Sequence, residues 1–128
     1  MVTTRSEPDY VANPYDADCP TRHILDRIGD RWTVLIIGIL GRGDARFSEL
    51  RRHVGGISQK MLTQTLRGLE RDGLVRRTVF PEVPVRVEYA LTDSGRSLLE
   101  PLYALQDWSI RHLGDVSASQ EAYDRANQ

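Results

Sequence analysis

The chain has 128 residues, 40% hydrophobic and 27% charged, enough apolar material for one domain with a single core and no bias toward a disordered or fibrous chain. Its longest apolar run, 34–40, is far shorter than the about 20 residues of a membrane span. The acidic opening segment lacks the apolar stretch of a signal peptide and the lone cysteine excludes an internal disulfide, so a cytoplasmic protein without a membrane partner is expected. The net charge of −1 hides an asymmetry, because 46–77 holds eight basic against three acidic residues, a net +5, between ends of −3 (1–18) and −2 (114–128), which suits an anionic partner for the middle of the chain.

Segment 1–18, with Pro8, Asn13 and Pro14 and no periodicity, reads as a mobile arm. The domain proper is expected over 19–113. A first helix runs from about Cys19 or Pro20 to Ile28, Pro20 suiting the first turn, where its missing N–H costs nothing, with Ile24, Leu25 and Ile28 as its apolar stripe. Asp30 caps a second helix that is apolar almost all round and therefore central. After the Gly41–Asp44 turn, 45–47 reads as a short extended piece. Ser48 is expected to cap a short third helix over 49–54, with Leu50 and Val54 inward. Gly55 and Gly56 break the chain, and Ser58 caps a fourth helix over 59–72 with Met61, Leu62, Leu66 and Leu69 toward the core.

From Leu74 the period changes to two. Strands over 75–80 and 85–91 flank the turn Pro81-Glu82-Val83-Pro84, with Val85, Val87, Tyr89 and Leu91 on one face. A last helical region over 93–113 is expected to kink or split at Pro101, and 114–128 reads as a loose polar tail. Tyr103 and Trp108 read first as packing residues.

The fold class is thus mainly α with a small β-hairpin, in the order α-α-β-α-α-β-β-α. Helices 49–54 and 59–72, joined by a tight Gly-Gly turn and followed by a hairpin, make a winged helix-turn-helix. A helix fits the major groove, where Gln pairs bidentately with adenine, Arg with guanine, and Thr meets the thymine methyl. The outward face of the fourth helix supplies Gln59, Lys60, Thr63, Gln64 and Arg67. Ser58 and the free N–H groups at its start suit a phosphate, and Arg86 near the hairpin tip suits the backbone or minor groove. Double-stranded DNA is the expected partner. The alternative is a winged-helix module that holds another protein without binding DNA. No nucleophile, base and orienting group can be assembled, so no enzyme is expected. His23, His53 and His112 lie too far apart for a zinc site with one cysteine, and no cofactor or metal is expected.

Several motifs together resemble the HxlR-type winged-helix transcription regulators of the MarR-like superfamily: Cys19-Pro20, Gly29-Asp30-Arg31-Trp32-Thr33, Arg46-Phe47-Ser48-Glu49-Leu50, the run Gly56 to Leu62, the run Leu69 to Val75, and Arg86-Val87-Glu88-Tyr89-Ala90-Leu91-Thr92. The resemblance covers about 19–113 and departs at Val85, where many members carry a further proline. It implies a homodimer that reads DNA with the fourth helix, most simply as a repressor. The surplus of apolar residues around the last helical region independently calls for a two-fold interface, with Leu98, Leu102, Leu105 and Trp108 as candidates, reading a pseudo-palindrome. Cys19 starts a helix with Arg22 and His23 in the next turn, which favours a thiolate, while Asp16 and Asp18 oppose it. Some members sense oxidants or electrophiles through a cysteine at this place and others carry it with no known sensing role, so Cys19 is a candidate sensor with a structural or inert cysteine as the alternative, and a small-molecule effector is compatible with the reading.

Overall fold

In the computed structural model, which describes residues 12–128, the chain orders itself as seven helices and one hairpin. Helix α1 (Pro20–Ile28) opens on its proline, and α2 (Arg31–Leu40) starts where the Asp30 carboxylate accepts the Trp32 N–H. The latter capping satisfies a donor that has no partner within the helix. Helix α3 (Phe47–His53) begins two residues before expectation. The Glu49 carboxylate accepts the Arg46 N–H at 2.8 Å, which closes the first turn without Ser48. The expected extended piece is reduced to Ala45, whose backbone exchanges two hydrogen bonds with Tyr89.

Val54 and Gly56 make the turn into α4 (Gln59–Arg71). Gly56 has φ +83°, a conformation that side chains with a Cβ disfavour. Ser58 Oγ caps α4 by accepting the Met61 N–H at 3.0 Å. At its other end the Gly73 and Leu74 N–H groups bond to Glu70 and Leu69 carbonyls, the paired bonds of a Schellman stop. Strands β1 (Val75–Phe80) and β2 (Arg86–Leu91) then pair antiparallel, from Val75 opposite Leu91 to Phe80 opposite Arg86. Val85 lies outside β2 and is exposed.

Helix α2 is the axis of the core, touching α1, α3, α4, β2 and α6. Ile36, Ile37 and Leu40 from it meet Leu50, Leu62, Leu66, Leu69, Val75, Leu91 and Leu102, all 5% exposed or less. Met61 does not join them. It is exposed, and Thr65 takes the inward place, its hydroxyl donating to the Met61 carbonyl.

The C-terminal region divides into α5 (Asp93–Ser97), α6 (Leu99–Arg111) and α7 (Leu113–Ala126). The first break falls at Leu98 rather than at Pro101, because a proline without an N–H is tolerated within the first turn of α6 and not inside a continuous helix. The second break, at His112, starts a helix where a loose tail was expected. The segment has no proline, and Ala118, Ala122 and Ala126 with Gln120 and Glu121 are good helix formers. Leu102 is 1% exposed and belongs to the core of the protomer, which removes it from the expected interface. Tyr103 and Trp108 are 44% and 50% exposed and are not core residues.

Of the expected arm, residues 1–11 lie outside the described part. Residues 12–18 form turns against the start of α1, the Asp16 N–H bonding to the Asn13 carbonyl and the Cys19 N–H to the Asp16 carbonyl. No helix among the described residues is long and apolar enough to cross a membrane.

Candidate nucleic-acid interface

The core side of α4 is set by Leu62, Leu66 and Leu69, which leaves the opposite side to solvent. Gln59, Lys60, Gln64 and Arg67 are exposed there and Thr63 is half-buried between them. Spacings of three and four residues bring all five onto one stripe, and they line one shallow surface together. The Thr63 hydroxyl donates to the Gln59 carbonyl at 2.9 Å, so its methyl is the group left to meet a base. Ser58 sits at the N-terminal end of the stripe. Because its oxygen accepts from Met61, its own hydroxyl proton remains a donor.

A groove of about 430 Å³ lies between α4 and the wing, lined by Gln59, Thr63, Leu66, Arg67 and Glu70 of α4, Arg77 and Tyr89 of the wing, and Phe47 of α3. Arg77 therefore joins the candidate surface. Charge counting included it without placing it. Its signal is the pairing register, which sets it opposite Tyr89, the residue that also carries the bridge to Ala45.

The structure treats Arg86 differently from the α4 side chains. Its guanidinium reaches Glu82 at 2.8 Å, bonds to Glu88, and stacks on the Phe80 ring with 3.8 Å between Cζ and the ring centroid. The Glu82 hydrogen bonds, against some burial, push the guanidinium still further toward its charged form, and they hold the Glu82 carboxyl below its ordinary value. Arg86 is thus the strut of the wing tip, its charge already matched by two carboxylates.

Cys19 is the N-cap residue of α1 and is 7% exposed. The Asn13 N–H points at its sulfur at 3.3 Å, and this bond above all lowers the thiol pKa, with burial opposing and donors from Thr21 and Arg22 assisting. The Arg22 guanidinium reaches the Tyr15 carbonyl at 3.5 Å. Among the described residues no group of three metal-binding side chains gathers.

Of the expected interface residues, Leu98 is half-buried on the core, while Leu105 and Trp108 stand out at 60% and 50% exposure. Trp108 stacks on His112 at 4.3 Å. Ile24 and Leu25 of α1, Ile110 of α6 and Leu113 and Tyr123 of α7 are also open.

Comparison with known proteins gives a consistent picture. Residues 27–117 match the HxlR-like helix-turn-helix family. The HTH-type transcriptional regulator YtfH of Escherichia coli is 45% identical over 106 residues, 83% of this chain and 84% of its own. The structure of ytfH from Salmonella typhimurium superposes with a TM-score of 0.81 at 43% identity, covering 87% of this chain and 99% of that one. The redox regulator HypR in its reduced form superposes with a TM-score of 0.72 at 37% identity, covering 77% and 98%. These are transcriptional regulators and not enzymes.

Proposed function

The chain belongs to the HxlR-like helix-turn-helix family of DNA-binding transcriptional regulators, and from that premise we propose that it acts as a homodimeric repressor laying α4 in the major groove at two half-sites of a pseudo-palindromic operator. The observation that carries the reading is the unobstructed polar stripe of α4, with Gln59, Lys60, Thr63, Gln64 and Arg67 on one exposed side. In this reading Arg67 and the two glutamines address base edges, Ser58 and Lys60 hold phosphates, and Arg77 stands across the groove as a second backbone contact. Arg86 shapes the wing and meets DNA only through what it positions.

The dimer is supported by the apolar side chains that the protomer leaves open. Ile24 and Leu25 on α1 and Leu105, Trp108 and Ile110 on α6 are large apolar side chains open to solvent, the kind of surface that an interface covers. A bound dimer represses by covering promoter DNA. The effector is an oxidant or electrophile received by Cys19, supported by the lowered thiol pKa and by the likeness to a redox regulator. With one cysteine per chain, oxidation joins Cys19 either to a second chain or to a small thiol. In the diamide case two thiols lose two electrons and two protons to the reagent as the disulfide forms.

A mobility shift with the duplex upstream of its own gene tests the proposal. A retarded band is expected that diamide abolishes and Cys19→Ser preserves. Absence of any retarded band contradicts DNA binding, and a band unchanged by diamide contradicts the sensor role alone.

A further inference from the structure

We infer that Arg27 is a positioning residue for DNA recognition, tying α1 to the C-terminal end of α4 through a guanidinium laid across Gly68. The inference rests on α4 being the reading helix, as proposed above. Arg27 Nε donates to Asp72 Oδ2 at 2.8 Å, and among the described residues this is the one polar side-chain link between α1 and α4. The guanidinium occupies the place where a side chain at Gly68 would start. A Cβ there would lie 2.7 Å from Arg27 Nη2 and nearer still to Nη1 and Cζ. Gly68 stands on the flank of α4, about 100° around the helix from the polar stripe, so a group pressed on it sets the rotation and tilt with which the stripe is presented.

Charge supports the same role. Asp72 is the C-cap residue of α4, where a carboxylate meets the negative end of the helix dipole unfavourably. Arg27 supplies the compensating cation. Arg71, 4.0 Å away with an 85% exposed side chain, is the weaker neighbour. At its other end α1 carries Cys19 as N-cap, and along its length it leaves Ile24 and Leu25 open. Arg27 is therefore the point at which the helix facing a partner copy grips the helix that reads DNA.

The latch makes a prediction of unusual sign. Alanine forms helix better than glycine, so a Gly68 that served only local helix structure would give Gly68→Ala equal or better stability and equal or better binding. Under the latch, the added methyl expels the guanidinium. Affinity for the duplex that wild-type protein enriches from a randomised pool then falls about tenfold, while the melting temperature holds or rises and binding to an unrelated duplex, set by phosphate charge, is unchanged. Arg27→Gln is expected to lose the same tenfold, and the double variant no more than either single, since both remove one contact. Wild-type affinity in Gly68→Ala, or losses that add in the double variant, overturns the inference. If Gly68→Ala melts lower, Arg27→Gln alone decides, and wild-type affinity there overturns it equally. A wild-type protein that enriches no sequence overturns the DNA reading itself, and this role with it.

Discussion

Arg67 and Ser58 show how individual side chains divide the work. Arg67 is exposed at the C-terminal end of the α4 stripe and pairs with no acidic side chain among the described residues, which leaves its guanidinium for a bidentate contact. Arg67→Ala is expected to weaken the specific complex and to relax one base position by about 1–3 kcal/mol, read by titrating a set of singly substituted duplexes; uniform loss across all of them would make Arg67 a phosphate contact instead. Ser58→Ala removes the cap of α4 and is expected to lower the unfolding free energy by about 1 kcal/mol, measured by denaturant titration. At Cys19 the sign follows from the Asn13 N–H, which favours the thiolate in the folded chain. Alkylation by iodoacetamide is therefore expected to reach half its maximal rate at a pH below that of a free cysteine. Unfolding the chain in denaturant removes the donor and moves the midpoint upward. Equal midpoints in the two states would leave Cys19 an unactivated thiol.

At the scale of elements, what could be read from sequence was whatever the apolar period and the caps determine locally. Asp30 and Ser58 sit where expected and accept the N–H groups expected of caps, and the switch from period 3.6 to period 2 after Leu74 locates the hairpin. Three things were not legible, each because a non-local contact decides it. Met61 faces out and Thr65 faces in because the rotation of α4 against α2 is set by the whole core. Leu102 fits an interface pattern as well as a core pattern, and only the crossing of α6 over α2 chooses between them. Helix α7 has a sparse apolar stripe, Leu113, Val116 and Tyr123, too thin to mark a helix without a partner surface. The Arg86 strut was hidden for a similar reason, since Glu82 reaches it only when the hairpin closes. That strut carries a pH dependence. The Glu82 carboxyl is held below its ordinary value in the folded wing, so its stabilising effect is present above the ordinary glutamate range and is lost as pH falls through the folded value. The protection factors of the β1 and β2 amides, which divide out the intrinsic slowing of exchange in acid, are expected to fall on acidification below that range, and Glu82→Gln to abolish the fall; an unchanged protection profile in the variant would remove the strut from the account.

For the whole molecule, the proposed function assigns two separate tasks to the surface. One set of exposed groups supplies charge and hydrogen bonding, on α4 and across the groove on Arg77. The other presents Ile24, Leu25, Leu105, Trp108 and Ile110, which a second copy would cover. Leu105→Glu changes a side chain 60% exposed in the single chain, so it is expected to leave the fold intact and to yield one chain per particle in sedimentation, with operator binding lost. A particle of unchanged mass would locate the pairing elsewhere. Leu102→Ala, by contrast, empties a core position and is expected to cost about 2–5 kcal/mol of stability.

The central claim is that the α4 stripe enters the major groove and that the dimer presents it twice. Dimethyl sulfate protection on the enriched duplex reads this directly, because the reagent attacks guanine N7 in the major groove and adenine N3 in the minor groove. The account predicts protected guanine N7 positions in two patches about one helical turn apart on one face of the duplex, both lost with Leu105→Glu. Protection confined to adenine N3, or a single unrepeated patch, would contradict it.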